Sequence, residues 1–199
     1  MRIMKVSARA LARALVCLAV PLLAGCATPS FEKGVTRDQV PVEAPMVFAG
    51  AQVSVIDWVG TIDDKEKRAG EVKAIADDMI RFVLTGAGFK LVCTPPAEGR
   101  YTVLDVKVEY KAYEPLVGGW VSTVGELREN DRVLMRPQYF SQMTFLLPSY
   151  AVKGNAMVFA SLIREDLQLR FREPTPEQTA ARPVCDRVAR PAQEARRTH

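Results

Sequence analysis

Of the residue types that do chemistry, histidine is represented once, by His199 at the end of the 199 residues. A positioned imidazole is therefore not expected. Ser-His-Asp and Cys-His triads and histidine zinc sites go with it. Carboxylates are the next candidates. Asp57, Asp63, Asp64 and Glu66 form an acidic group, but they lack the alternating ligand spacing about a central glycine that a calcium loop uses. A helix cap with a solvated face accounts for them better. Asp77 and Asp78 are adjacent, so on a helix they point in different directions and do not flank one glycosidic bond. Gly118-Gly119 lacks phosphate-loop spacing, and no Gly-x-Ser-x-Gly elbow occurs. The expectation is a protein that is not an enzyme, with no cofactor and no metal. The group with most promise is apolar: Leu116, Val117, Trp120 and Val121, set among Gly118, Gly119 and Gly125. An aromatic on permissive backbone can anchor a protein partner; the alternative is that Trp120 fills the core.

Cysteine chemistry starts at Leu23-Ala24-Gly25-Cys26. This tetrapeptide resembles the lipobox of bacterial lipoprotein signal peptides. Arg2, Lys5, Arg9 and Arg13 precede it with no acidic residue, and Ala14 to Leu23 is an apolar run broken only by Pro21. That run is too short for a permanent span, which needs about 20 apolar residues. The resemblance implies removal of residues 1–25 and diacylglyceryl and palmitate attachment at Cys26. It also implies a periplasm-facing protein, and Ala27 after the cysteine points to the outer membrane, with the inner membrane as alternative. Cys17 leaves with the leader, so Cys93 and Cys185 remain. In an oxidising compartment they are expected to pair, the alternative being two buried thiols. Closing so long a loop removes about 4–5 kcal/mol of unfolded-chain entropy in the simple loop model.

Cleavage also changes the charge. Four of the 27 Lys and Arg and none of the 23 Asp and Glu lie in the leader. The remaining chain balances, so its pI gives no argument for nucleic-acid binding. Arg187, Arg190, Arg196 and Arg197 are concentrated near the end, where they could touch anionic lipid or glycan weakly. A solubilising tail is the default reading.

The elements that must position these residues follow from periodicity. Residues 26–49, with Pro29, Pro41 and Pro45, read as an extended tether. Gln52 to Val59 is apolar on both alternations, as a strand covered on both faces would be. From about 65 to 87, Val72, Ile75, Ala76, Met79, Ile80 and Val83 recur at helical spacing. Asp63 with Glu66 resembles a capping box, and Gly86 and Gly88 supply the stop. Phe89 to Cys93 predicts a short strand. Leu104, Val106, Val108 and Tyr110 alternate with Asp105, Lys107, Glu109 and Lys111, which predicts a strand with one wet face. Residues 114–130 are either a hairpin or a loop. Gln142 to Leu147 reads as a strand, Gly154-Asn155 as a hairpin turn, and Ala156 to Ile163 as strand or helix. Leu167, Leu169 and Phe171 alternate with polar residues as a strand would, and 174–199 reads as an irregular tail.

Together these predict one α+β domain over 50–173, with a mixed or mainly antiparallel sheet and one main amphipathic helix packed on it. The order strand, helix, Gly88-Phe89, strand, turn and Tyr101-x-Val103-x-x-Val106-x-Val108 resembles small envelope-lipoprotein domains of unassigned function. Many of those have an aspartate where Arg100 stands here. The expected role is a lipid-anchored binding or assembly subunit of a cell-wall, export or secretion complex. The alternatives are a carrier of a small hydrophobic ligand or a hydrolase. Mass spectrometry of membrane-extracted protein should find Cys26 as the diacylated N-terminus; a retained Met1 leader would refute the lipobox reading.

Overall fold

The computed structural model describes residues 26–28, 31–114, 118–143, 148–180 and 185. Among them are eight strands in one mixed sheet and three α-helices, an α+β fold. The strands are β1 (Cys26–Thr28), β2 (Met46–Val47), β3 (Gln52–Ile56), β4 (Leu91–Val92), β5 (Thr102–Glu114), β6 (Gly118–Glu129), β7 (Arg132–Met135) and β8 (Gln138–Met143). The helices are α1 (Ile62–Gly86), α2 (Pro148–Asp166) and the short α3 (Pro176–Ala180). The sheet order is β1-β8-β6-β5-β2-β4, with β3 also on β5 and β7 also on β6. Strands β2, β3 and β4 join in parallel and the others antiparallel.

The spine is the β5–β6 hairpin. Leu104, Val106, Val108 and Tyr110 of β5 are buried, while Asp105, Lys107 and Glu109 face water, as the alternation predicts. On β6 the inward set is Val121, Thr123, Gly125 and Leu127. Helices α1 and α2 both lie on this inward face. A Cβ at Gly125 would sit 2.6 Å from Phe159 of α2, so the missing side chain is what lets α2 approach the sheet. One face of the sheet is thus roofed and the other is open.

Helix α1 begins three residues earlier than its apolar stripe predicts. Its N-cap is Thr61, whose Oγ accepts from the Asp64 amide at 3.1 Å. The Asp63–Glu66 capping box is not the cap that forms. Threonine offers its oxygen to the first turn directly, and Asp63 is left in the first turn, where the helix dipole favours it.

Other expectations are corrected. Among the described residues strand β3 pairs with β5 alone and leaves Gln52 and Ser54 exposed. It is therefore covered on one face and ends at Ile56. Gly154-Asn155 is no turn but lies inside α2, and the apolar run 156–163 is helical. Pro148 stands at the helix's first position, where a missing N–H costs nothing. Leu167, Leu169 and Phe171 form no strand. Leu167 closes the helix against the core, Gln168 takes a positive φ of 52°, and Phe171 turns onto Phe82 at 5.7 Å between ring centroids.

The expected tether is part of the fold. Cys26, Ala27 and Thr28 stand opposite Phe140, Tyr139 and Gln138 on β8. Val40, Met46, Val47 and Phe48 are buried. The described part of this segment is therefore packed on the domain rather than a free spacer.

What fixes the position of α2 along the sheet is polar. Asn155 is fully buried; its amide nitrogen donates to the Val121 carbonyl at 2.9 Å and to Ser141 Oγ at 2.8 Å. Thr123 Oγ1 donates to Asn155 Oδ1 at 2.6 Å. One side chain thus serves β6 and β8 together. Asn155→Ala should lower stability by about 2–4 kcal/mol, because the three partners stay buried without their amide. Urea denaturation would read this as a lower midpoint at unchanged slope; an unchanged midpoint would mean water replaces the amide.

Candidate functional site

The apolar group singled out in the sequence divides in the structure. Val121 is fully buried under α2 and cannot be a surface contact. The alternation of β6 points it inward, and its own carbonyl is an Asn155 acceptor. Leu116 and Val117 lie outside the described residues. Trp120 is on the open face, half-buried, with its ring 5.8 Å from that of Phe140 on β8. The register explains the pair: Trp120 stands opposite Gln142 and Ser122 opposite Phe140, so the two rings are diagonal neighbours. Cys26 is the β1 residue opposite Phe140. The expected lipid-attachment position and the expected contact aromatic are therefore two strands apart.

The carboxylate candidates are engaged structurally. Asp77 Oδ1 accepts from the Ala51 amide at 2.6 Å and Oδ2 pairs with Lys73 at 2.5 Å, which clamps the chain before β3 to α1. Asp64 Oδ2 accepts from the Thr61 hydroxyl at 2.6 Å. Asp57 pairs with Lys111 at 3.1 Å. Among the described residues no three His, Cys, Asp or Glu converge as a metal-holding group. Asp166, at the end of α2, has its carboxyl pushed above the usual range by burial. The Arg100 and Arg136 guanidiniums are held above their ordinary value, chiefly by hydrogen bonds to Glu129 and Glu126. A half-open recess between α1 and α2, lined by Arg68, Glu71, Val72, Ile75, Ser149 and Val152, holds about 150 Å³. Small-molecule sites usually start near ~300 Å³.

Two apolar surfaces were not anticipated. On α2, Met157 and Val158 are exposed at 38% and 37%, and Leu162 one turn on is half-buried. The legible signal was the continuous run 156–163, which as a helix is apolar all round rather than on one stripe. The second surface lies around the β3–α1 loop, where Val59 is 85% exposed and Ile62 75%; Tyr150, at the start of α2, is 60% exposed. Val59 is carried by an ordered loop. Asp57 and Gly60 both take positive φ, and Trp58 folds back so that its indole N–H donates to the Thr61 carbonyl at 3.0 Å. The sequence placed Val59 in a strand, so its exposure depended on where β3 stops.

Cys93 and Cys185 are bridged, with their Cα atoms 5.4 Å apart. The bridge returns the chain to the sheet edge. There Arg81, buried in α1, donates to the Phe48 carbonyl at 2.8 Å and to Cys185 Sγ at 3.0 Å. Its guanidinium lies 4.7 Å above the Phe48 ring. Replacing both cysteines by serine should cost about 2–5 kcal/mol, by freeing a long loop in the unfolded chain. The melting temperature of oxidised protein should fall to that of the reduced protein; equal values for oxidised wild type and variant would refute a structural bridge.

Among the described residues no helix is long and apolar enough to cross a membrane. No protein-family model matches the chain, and no curated protein is similar to it. Solved structures do resemble it. A PelC dodecamer from Paraburkholderia phytofirmans shows 17% identity and a TM-score of 0.46, over 74% of this chain and 99% of that one. A point variant of the same protein shows 15% identity and a TM-score of 0.42 over the same shares. A structure titled only as an uncharacterized protein shows 15% identity and a TM-score of 0.29, covering 62% and 88%. At these values no role is carried over from them.

Proposed function

We propose that this chain is a lipid-anchored, non-catalytic protein of the bacterial cell envelope, mounted through Cys26 on the outer membrane and facing the periplasm. It acts as a binding or assembly subunit of a cell-wall, export or secretion complex. The observation that carries the reading is the outer side of α2. Met157, Val158 and the half-buried Leu162 give this helix an apolar surface where a solvated helix normally presents charge. An apolar helix face of this kind suits a protein partner better than a soluble substrate. The described polar groups support the same side. Asn155, Thr123 and Ser141 are committed to holding α2, and Asp77 and Arg81 to holding the chain around β2 and β3. The leader and Cys26 supply the mount. The recess between α1 and α2 is too small to favour a carrier of hydrophobic ligands.

A pull-down from detergent-solubilised envelope tests this reading. The unsubstituted protein should recover a protein partner in stoichiometric amount. Met157→Glu/Val158→Glu should lose that partner while melting within a few degrees of the parent, since both side chains are already exposed. A monomer recovered with a small hydrophobic ligand and no protein would overturn the assembly reading.

A further inference from the structure

The strand ends and helix starts gather several exposed apolar side chains at one end of the molecule. Ile56 of β3 and Trp120 of β6 both stand opposite Lys111 of β5, so the end of β3 and the beginning of β6 are level. Helix α1 starts at Ile62, directly after β3, and α2 starts at Pro148, a few residues after β8 leaves the sheet beside Gly119. Both helices therefore begin toward this end, where Val59 and Ile62 are exposed and Trp120 is half-buried; Tyr150, in the first turn of α2, flanks it, since its neighbour Ser149 lines a recess with Arg68, Glu71, Val72 and Ile75 of α1.

The mature N-terminus is directed to it as well. Strand β1 runs antiparallel to β8, with Thr28 opposite Gln138 and Cys26 opposite Phe140. Going back along β1 from Thr28 to Cys26 thus runs toward the apolar end. Cys26 sits two β8 residues, roughly 7 Å, short of the rung that carries Trp120.

From this juxtaposition we infer that the apolar end is a membrane-contact surface: the domain rests end-on against the bilayer into which its Cys26 lipid inserts. The inference rests on the lipoprotein reading above. It replaces a domain held off the membrane by a spacer with one mounted directly by its edge strand. The occupant is the bilayer because the lipid-bearing residue is itself pinned beside the patch. Acyl chains leaving a strand-paired Cys26 bring the lipid surface to the nearest exposed side chains. Aromatic and aliphatic residues at the headgroup level are what such a surface accepts. The charged neighbours refine the lipid class. Asp57 is paired with Lys111, and Asp63, Asp64 and Glu66 lie in or beside the first turn of α1 against Lys65 and Lys67. This end has no excess of positive charge, so contact is apolar and suits zwitterionic phosphatidylethanolamine or phosphatidylcholine rather than anionic lipid.

The test uses the full-length, processed protein carrying Trp58→Phe, in which Trp120 is the remaining tryptophan. It is reconstituted into phosphatidylethanolamine/phosphatidylcholine vesicles whose acyl chains are plain or brominated. Trp120 emission should fall by roughly twofold in the brominated vesicles and be shielded from iodide, as for an interfacial tryptophan. Val59→Asp/Ile62→Asp should restore the emission without detaching the protein, and added salt should change neither result. Trp120 that is equally bright in both vesicles and open to iodide would overturn the inference. The intact mass of the same sample separates the two readings. Diacylated Cys26 with unquenched Trp120 removes the end-on contact alone; unacylated Cys26 with a retained leader removes the lipoprotein reading and this inference with it. Should Trp58→Phe disturb the Thr61 cap, deuterium uptake of the unsubstituted protein decides instead. Peptides covering 57–64 and 149–153 should exchange more slowly on vesicles than in detergent, and equal exchange counts against the contact.

Discussion

A single buried amide, Asn155, sets the geometry on which the rest of the domain depends. It bonds to β6 through the Val121 carbonyl and Thr123 and to β8 through Ser141. Apolar contact alone would hold α2 on the sheet, but would leave it free to slide along the strands. Directional hydrogen bonds in a site without water remove that freedom, because any shift leaves buried groups unpaired. Gly125 completes the arrangement by letting Phe159 close onto β6. With α2 placed, its start by Tyr150 and its outward Met157 and Val158 are placed too.

The two helices roof one face and leave the other to water, which divides the labour of the surfaces. The open face is polar along most of β5, with ion pairs from Arg128 to Asp105 and from Lys111 to Asp57. Such exposed pairs contribute little to stability; they keep the face solvated. Apart from Val124 on β6 and Phe171 beyond α2, the exposed large apolar residues lie on the outer side of α2 and toward one end. Those are two different kinds of surface, and the proposals assign them different occupants: a protein for the helix side, a bilayer for the end.

Described segments well outside the central hairpin are drawn into the fold on both sides. Strand β1 adds to the sheet at β8, and Met46 and Phe48 enter the core. At the other flank the Cys93–Cys185 bridge carries the chain back to β4, where Arg81 of α1 reaches both Phe48 and Cys185. Arg81 thus joins the segment before β3, the long helix and Cys185 around one guanidinium. Its burial is supported by directed acceptors and by the Phe48 ring beneath it.

Elements whose pattern is local were already legible before folding. The period of Val72, Ala76, Ile80 and Val83 specified α1, and the strict alternation from Leu104 to Tyr110 specified β5 and its wet face. The α+β class followed from one strong helix among many short strands. Cys93 and Cys185, the two cysteines outside the expected leader and lipid site, were legible as a pair because a count needs no geometry. Features that depend on a neighbour were not legible in this way. Residues 156–163 are apolar on every side, so no period distinguishes helix from strand, and packing on β6 and β8 made them helical. Gly154-Asn155 has the composition of a turn, yet Asn155 is worth more to the fold as a buried amide inside α2. Segment 31–48 has no pattern of its own, and it is ordered by parallel pairing of β2 with β4 and β5. Val121 and Trp120 are adjacent in the chain and opposite in fate, because a strand sends successive side chains to opposite faces and only one face is roofed.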